Sequence, residues 1–361
     1  MTKAEIALQR LRQQQLLQPV FEKPEDVVVW LGAMQAQDFG GAKWAVSQRT
    51  TGLTDLALEQ AFASGAILRT HILRPTWHFV TPADIRWMLS LTAPRVKAFN
   101  ASYYRRLELD QVVFAQSNAV LVKALQGRKQ LTRSELGVIL QNAGIDTHEL
   151  LRLTYIMLNA ELDGIVCSGG RRGKQFTYAL LDERAPEPRP LEPKEALAEL
   201  IRRYFTGHGP ATINDFVWWS GLTVADVKAG LEMISPELAY EMIDDQTYWF
   251  PNSMPPAARV SPVVHLLPNY DEYIVGYTDR TAAFDVLDTK MANPRDKIVF
   301  NSTLVIDGRV SGTWKRTINK GQVLLTISTF TRLSVDEENA LNAAVRRYGE
   351  FQALPVLMDF N

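Results

Sequence analysis

Residues 131–180 read LTRSELGVILQNAGIDTHELLRLTYIMLNAELDGIVCSGGRRGKQFTYAL, and three punctuation signals within them decide the fold. Thr132 with Glu135 three residues on is a capping-box signature that starts a helix. Thr147 is the expected cap of a second helix over 148–162, in which Leu151, Tyr155, Leu158 and Leu162 recur at helical spacing until Asp163-Gly164 stops the run. Residues 165–167 and 175–180 then read as strands around the polar loop 168–174. A preceding apolar-periodic helix over 118–125 is closed by Gly127, so the order is helix, helix, helix, hairpin. That is the order of a winged-helix unit, with the glycine-rich basic loop as its wing tip.

The same order recurs more faintly on both sides. In 194–250, helices are expected at 194–204, at 213–219 behind Thr212 and at 224–233 behind Thr223, followed by a hairpin turning at Asp244-Asp245. In 24–81, one helix starts at Pro24 and another runs over 55–64 behind Thr54. A hairpin then joins 67–72 to 77–80, and Thr81-Pro82 reads as the cap and first residue of a further helix. Past residue 300 the character changes. Asp307-Gly308 is a type I′ turn between strands, Asn319-Lys-Gly321 is a second turn, and Ser334 caps a helix over 335–348. The expected fold class is α+β: three tandem winged-helix units followed by a C-terminal β-barrel or curled sheet.

Length and composition agree with a multidomain globular chain. The 361 residues exceed one comfortable core, and 46% hydrophobic with 22% charged residues is ordinary for a folded protein. Proline-rich stretches at 185–193 and 251–262 read as connectors. The expected domains are 1–117, a first winged-helix unit with flanking helices; 118–185, a second; 186–254, linker and third; and 255–361, the β-rich domain with its helix. The N-terminal twenty residues lack a signal-peptide core, no apolar run is long enough for a membrane span, and a single cysteine, Cys167, suits a reducing compartment. A cytoplasmic protein without a membrane partner is expected. Its net charge of −1 means that any DNA affinity must come from local positive charge.

The five histidines are scattered and Cys167 stands alone, so no metal site is indicated. Gly-Gly-Arg-Arg-Gly-Lys fails as a phosphate loop, because its glycine spacing is wrong and Gln175 stands where Ser or Thr would bind magnesium. No cofactor is expected. Two basic clusters remain. Arg171, Arg172 and Lys174 on the wing suit phosphate contact, though charged loop tips are often merely solvated. Arg69, His71, Arg74 and His78, with Trp77, lie on a hairpin where apolar positions alternate and no acid intervenes; they read as a cationic strand face that tracks a DNA backbone, or as fortuitous arginines on a packed strand.

The most unusual stretch is MQAQDFGGAKWAVSQR, 34–49. Gln35 and Gln37 lie two apart at what reads as a helix end stopped by Gly40-Gly41. They can meet one ligand only if the chain leaves helical geometry there. Carboxamides orient a water or a base edge but cannot act as bases near neutral pH, and Asp38 is the adjacent carboxylate. By composition alone this stretch reads first as a surface helix end.

These residues resemble the winged-helix DNA glycosylases of the AlkZ and YcaQ type. The resemblance covers nearly the whole chain, through 34–49, LRPTWHFV (73–80), INDFVWWSG (213–221) and LLPNYDEYIVGY (266–277). It implies three winged-helix units and a β-barrel around a DNA-sized channel, with a hairpin that probes the duplex. Gln35-Ala36-Gln37 matches the Gln–apolar–Gln signature of the AlkZ branch; the YcaQ branch has Asp at the third position. The implied reaction is hydrolysis of the N-glycosidic bond of N7- or N3-alkylated purines in duplex DNA. Such a purine is cationic and leaves readily, so a positioned water and preorganised electrostatics suffice. Gln37 would hold the water, Gln35 would orient it and Asp38 would stabilise developing charge. A single chain spans the duplex in this reading, so a monomer is expected. A non-catalytic winged-helix DNA-binding protein or regulator, and a repeat scaffold without DNA, are the competing readings.

Overall fold

The computed structural model describes residues 1–187, 189–255, 262–284, 301–319 and 321–361. Pro188 and residues 256–261 of the two expected connectors, and Lys320 of the expected second turn, lie outside the described residues.

The chain opens with helices α1 (Lys3–Gln13) and α2 (Pro24–Leu31), a short strand β1 (Met34–Gln35), and helices α3 (Phe39–Ser47) and α4 (Asp55–Ser64). Hairpin β2 (Leu68–His71) and β3 (Trp77–Val80) leads to helices α5 (Ile85–Arg106) and α6 (Gln111–Leu125). There follow β4 (Leu131–Thr132), α7 (Arg133–Asn142), α8 (Leu150–Leu162), β5 (Val166–Arg172), β6 (Gln175–Leu180) and α9 (Leu181–Arg184). Helices α10 (Pro193–His208), α11 (Ile213–Ser220) and α12 (Val224–Ile234) precede hairpin β7 (Leu238–Ile243) and β8 (Gln246–Pro251). The remainder comprises β9 (Val264–Leu267), α13 (Glu272–Val275), β10 (Thr303–Ile306), β11 (Arg309–Asn319), β12 (Gln322–Thr329), α14 (Val335–Gln352) and β13 (Val356–Phe360). The fold is α+β.

These elements form two compact units. One comprises Met1–Glu59, Ala198–Trp219 and Thr223–Asn361; the other comprises Gln60–Leu197 with Ser220–Leu222. The second unit is built on the stretch that opened the sequence reading. Thr132 and Glu135 close a capping box at the start of α7, and Leu121, Leu125, Leu136, Leu140, Ile156, Ala160, Val166 and Leu180 share one buried core. Each such leucine contributes roughly 1.5–3 kcal/mol by leaving water. Strands β4, β6 and β5 form its antiparallel sheet in that order.

Three local expectations change here. Thr147 does not cap α8: its hydroxyl donates to Gly137 O (3.1 Å), and Asp146 takes the His148 N–H (3.0 Å) in a local turn that delays the helix to Leu150. The expected seven-residue wing tip contracts to Gly173-Lys174. The strands pair out to Arg172 and Gln175 around a bulge between Ser168 and Arg171, and Gly173 supplies φ +63°. Thr81-Pro82 does not open α5, which starts at Ile85, because Thr81 donates to Asp84 Oδ2 in a preceding turn (2.7 Å).

In the first unit, Thr223 with Asp226 and Ser334 with Glu337 form capping boxes, and Thr212 and Asp215 exchange the same pair of bonds. Asp244 and Asp245, at φ +47° and +61°, turn the β7–β8 hairpin. The C-terminal sheet has the order β13-β12-β11-β10-β9, with only β12–β13 parallel. Among the described residues its two edge strands do not pair, so of the expected barrel or curled sheet the barrel is not formed and the five-stranded sheet is open; α14 lies against β9 and β13. Leu11 and Leu16 share a core with Leu267, Tyr273, Ile274 and Val305, which ties the N-terminus of the chain to this sheet. Among the described residues, no helix is long and apolar enough to cross a membrane.

Candidate functional site

The glutamine segment belongs to the first unit, and the chain there is not helical. Helix α2 ends at Leu31, and Gly32 reverses the backbone at φ +80°. A Cβ at that position would meet the Trp219 ring at 3.3 Å, so both conformation and space require glycine. Met34 and Gln35 are then extended, and α3 starts only at Phe39. The departure from helical geometry that Gln35 and Gln37 need is therefore present. Gly40-Gly41 do not cause it, because they lie inside the first turn of α3. Gln35 is buried and Gln37 is exposed.

Two buried acids fix this segment. The Gln35 N–H donates to Glu272 Oε1 at 2.6 Å. The other oxygen of Glu272 accepts the Trp219 indole N–H at 3.0 Å and lies 3.4 Å from His208 Nε2. Its neighbour Asp271 receives both Nη atoms of Arg49, at 2.9 and 2.8 Å, with both side chains fully buried. Such a pair holds its geometry tightly, because the cost of desolvating two charges is recovered only in good alignment. Arg49 also donates to Gln14 (2.7 Å), and Trp44 donates to Leu266 O (2.6 Å). The stretches 34–49 and 266–277, which carried the resemblance, thus grip each other through these bonds.

Asp38 caps α3, accepting from the Gly41 N–H at 3.1 Å, and faces the Arg316 guanidinium at 3.3 Å. A helix N-terminus and a cation both stabilise its negative charge. The two glycines make room for this pair: a Cβ on Gly41 would stand 2.8 Å from Asp38 Oδ2, and one on Gly40 would stand 3.0 Å from Arg316 Nη2. Glu272, Asp271 and Arg316 were not singled out from sequence. An acidic pair inside the otherwise apolar run NYDEYIVGY was the available signal; Arg316 carried none.

The second unit holds the basic residues, and it buries most of those on the hairpin. Arg69, His71 and His78 are 6%, 7% and 0% exposed, so the expected solvent-facing cationic strand face is corrected. The compensating acid comes from α8, beyond the reach of local reading. Glu161 Oε2 accepts the His71 N–H (3.0 Å) and the Thr70 hydroxyl (3.2 Å), and lies 2.8 Å from His71 Nδ1. The guanidinium of Arg69 is held between the rings of Trp77 (4.1 Å) and Phe176 (4.5 Å); burial lowers its pKa to about 10, so it stays charged at neutral pH. His78 Nδ1 lies 2.9 Å from Thr76 O, and Arg74 is half-buried.

On the wing, Arg172 donates to Glu135 Oε1 (2.7 Å), while Arg171 curls back to Gly173 O (3.1 Å). Lys174 is exposed. Of the eight basic and aromatic candidates, Arg69, Trp77 and Lys174 line one cavity of about 380 Å³; the other five do not. Burial pushes the Cys167 thiol up to about 12, so it is unreactive at neutral pH. Among the described residues, no three His, Cys, Asp or Glu side chains form a metal-binding cluster.

The site therefore has Gln35 on a short strand held by Glu272, and Asp38 three residues on paired with Arg316. The sequence profile of the AlkZ-like DNA glycosylases matches residues 28–351, and the chain belongs to that family. The interstrand DNA cross-link repair glycosylase of Streptomyces sahachiroi is 24% identical over 358 residues, covering 95% of this chain and 96% of the relative. The solved structure of the Streptomyces sahachiroi DNA glycosylase AlkZ superposes with a TM-score of 0.79 at 21% identity, covering 99% of both chains. That likeness carries the fold.

Proposed function

We propose that this DNA glycosylase hydrolyses the N-glycosidic bond of N7- or N3-alkylated purines in duplex DNA as a monofunctional enzyme. Gln37 holds the attacking water, Gln35 orients it, and Asp38 stabilises the cationic sugar that forms as the base leaves. The observation that carries this reading is the helix break at Gly32, after which Glu272 holds the extended Gln35 backbone. A cationic base needs no strong general acid, and preorganised dipoles act most strongly where they do not reorganise during reaction. The name of the Streptomyces relative extends the candidate substrates to interstrand crosslinks.

The helix–hairpin groups ending in β2–β3, β5–β6 and β7–β8 act in this proposal as winged-helix units that hold the duplex, with the sheet domain beyond residue 255 completing the site. Arg69, His71, Arg74, Trp77, His78, Arg171, Arg172 and Lys174 form or support the DNA-binding surface. The buried His71 and His78 position their neighbours, the exposed members meet phosphate, and Arg69 lines a cavity beside them. The protein acts as a monomer without a cofactor. The deciding experiment measures excision from a duplex carrying one N7-methylguanine: Gln37→Ala abolishes it while DNA affinity survives, and unchanged excision rejects the role.

A further inference from the structure

The cavity in the second unit is not accounted for by the reaction. It is lined by Arg69, whose guanidinium is stacked between Trp77 and Phe176, and by Arg133 and Lys174. Arg133 and Ser134 belong to the first turn of α7, whose end Thr132 and Glu135 cap. Among the described residues that line the cavity there is no carboxylate. Arg69 feels the attraction of Glu161 and, more weakly, the like charge of Arg133. A concentration of positive charge in a chain of net charge −1 calls for an anion. Ligand pockets usually span roughly 300–1,000 Å³; at about 380 Å³ this one has room for a phosphate group with part of its backbone.

We propose that this cavity is a phosphate clamp that seats one phosphodiester of the DNA backbone, with Arg69 as a pre-aligned fork. Two aromatic faces hold that fork, so little side-chain entropy is lost when it binds a planar pair of phosphate oxygens. The proposal rests on the DNA-glycosylase reading and adds a phosphate contact remote in sequence from Gln35–Gln37.

The test measures affinity for an undamaged, fluorescein-labelled duplex across a potassium chloride series. Arg133→Gln and Lys174→Gln are partly or fully exposed and leave the core intact; Lys123→Gln, exposed on α6 and outside the cavity, is the control. Each cavity variant lowers the slope of log affinity against log salt by about 0.9, and the pair by about 1.8, while the control leaves it unchanged. Cavity slopes equal to wild type overturn the clamp. Titration with inorganic phosphate separates the sources: saturable binding of free phosphate with an unchanged duplex slope makes this a small-anion site and overturns the backbone proposal. If the wild-type protein binds no duplex at any salt, the DNA reading itself fails.

Discussion

Replacing Glu272 tests how the structure holds its glutamines. Glu272→Ala removes the acceptor for the Gln35 and Trp219 N–H groups, at 2.6 and 3.0 Å, and the contact with His208 at 3.4 Å. Glu272 is 1% exposed, so water does not replace it. An orphaned buried donor costs roughly 1–3 kcal/mol, so the two N–H donors alone predict a loss of about 2–6 kcal/mol. That is a large fraction of a typical stability of roughly 5–15 kcal/mol. Glu272→Gln keeps one carbonyl oxygen for Gln35 but turns an amide N–H₂ toward Trp219, which predicts about half that loss. Urea denaturation reads the stability, and single-turnover excision of N7-methylguanine reads the chemistry. The glutamine variant remains folded and binds duplex normally, yet excises about 100-fold more slowly, the typical effect of displacing a positioning group by about 1 Å. An alanine variant within about 0.5 kcal/mol of wild type and excising at the wild-type rate would refute the role given to Glu272.

Three further outcomes follow from single contacts. Gly41→Ala sets a methyl 2.8 Å from Asp38 Oδ2, so it breaks the α3 cap at a cost of about 0.5–2 kcal/mol; in an Asp38→Ala background the cost shrinks, which a double-mutant cycle of urea midpoints reads. Burial lowers the pKa of His265 from 6.5 to about 3. The unfolded chain therefore binds the extra proton in that window: this contribution to stability is complete above pH 6.5 and falls with pH by up to about 1.4 kcal/mol per unit. Neither ring nitrogen of His265 has a hydrogen-bond partner among the described residues, so His265→Leu flattens the decline between pH 7 and pH 5 in urea titrations without loss at pH 7. Glu135→Gln releases Arg172 from its 2.7 Å ion pair and steepens the salt dependence of duplex binding by up to about 0.9; an unchanged slope means that Arg172 contacts no phosphate.

Local signals carried much of the fold. The helix caps at Thr132, Thr223 and Ser334 and the turns at Asp244-Asp245 and Asp307-Gly308 were legible because each depends on residues within four positions. The helix start after Thr147 was not, since the Thr147 hydroxyl turns to Gly137 O, ten positions away, while Asp146 holds the His148 N–H in a local turn. Long-range partners were invisible for the same physical reason. Arg10 Nε donates to Pro210 O across 200 residues, and Arg69 and His71 read as surface cations because Glu161 and Phe176 approach only after folding. At the site, Gln35 and Gln37 could be named from their pattern, but the helix break belonged to Gly32. The Glu272 carboxylate that holds the Gln35 backbone lies 237 positions away in sequence.

The central claim is tested most directly by single-turnover excision from a duplex carrying one N7-methylguanine, comparing wild type with Gln37→Ala under conditions where both bind fully. Release of the free base by the wild type, and its loss by at least about two orders of magnitude in the variant at equal DNA affinity, is the predicted result. No release by the wild type, or equal release by both proteins, would contradict it.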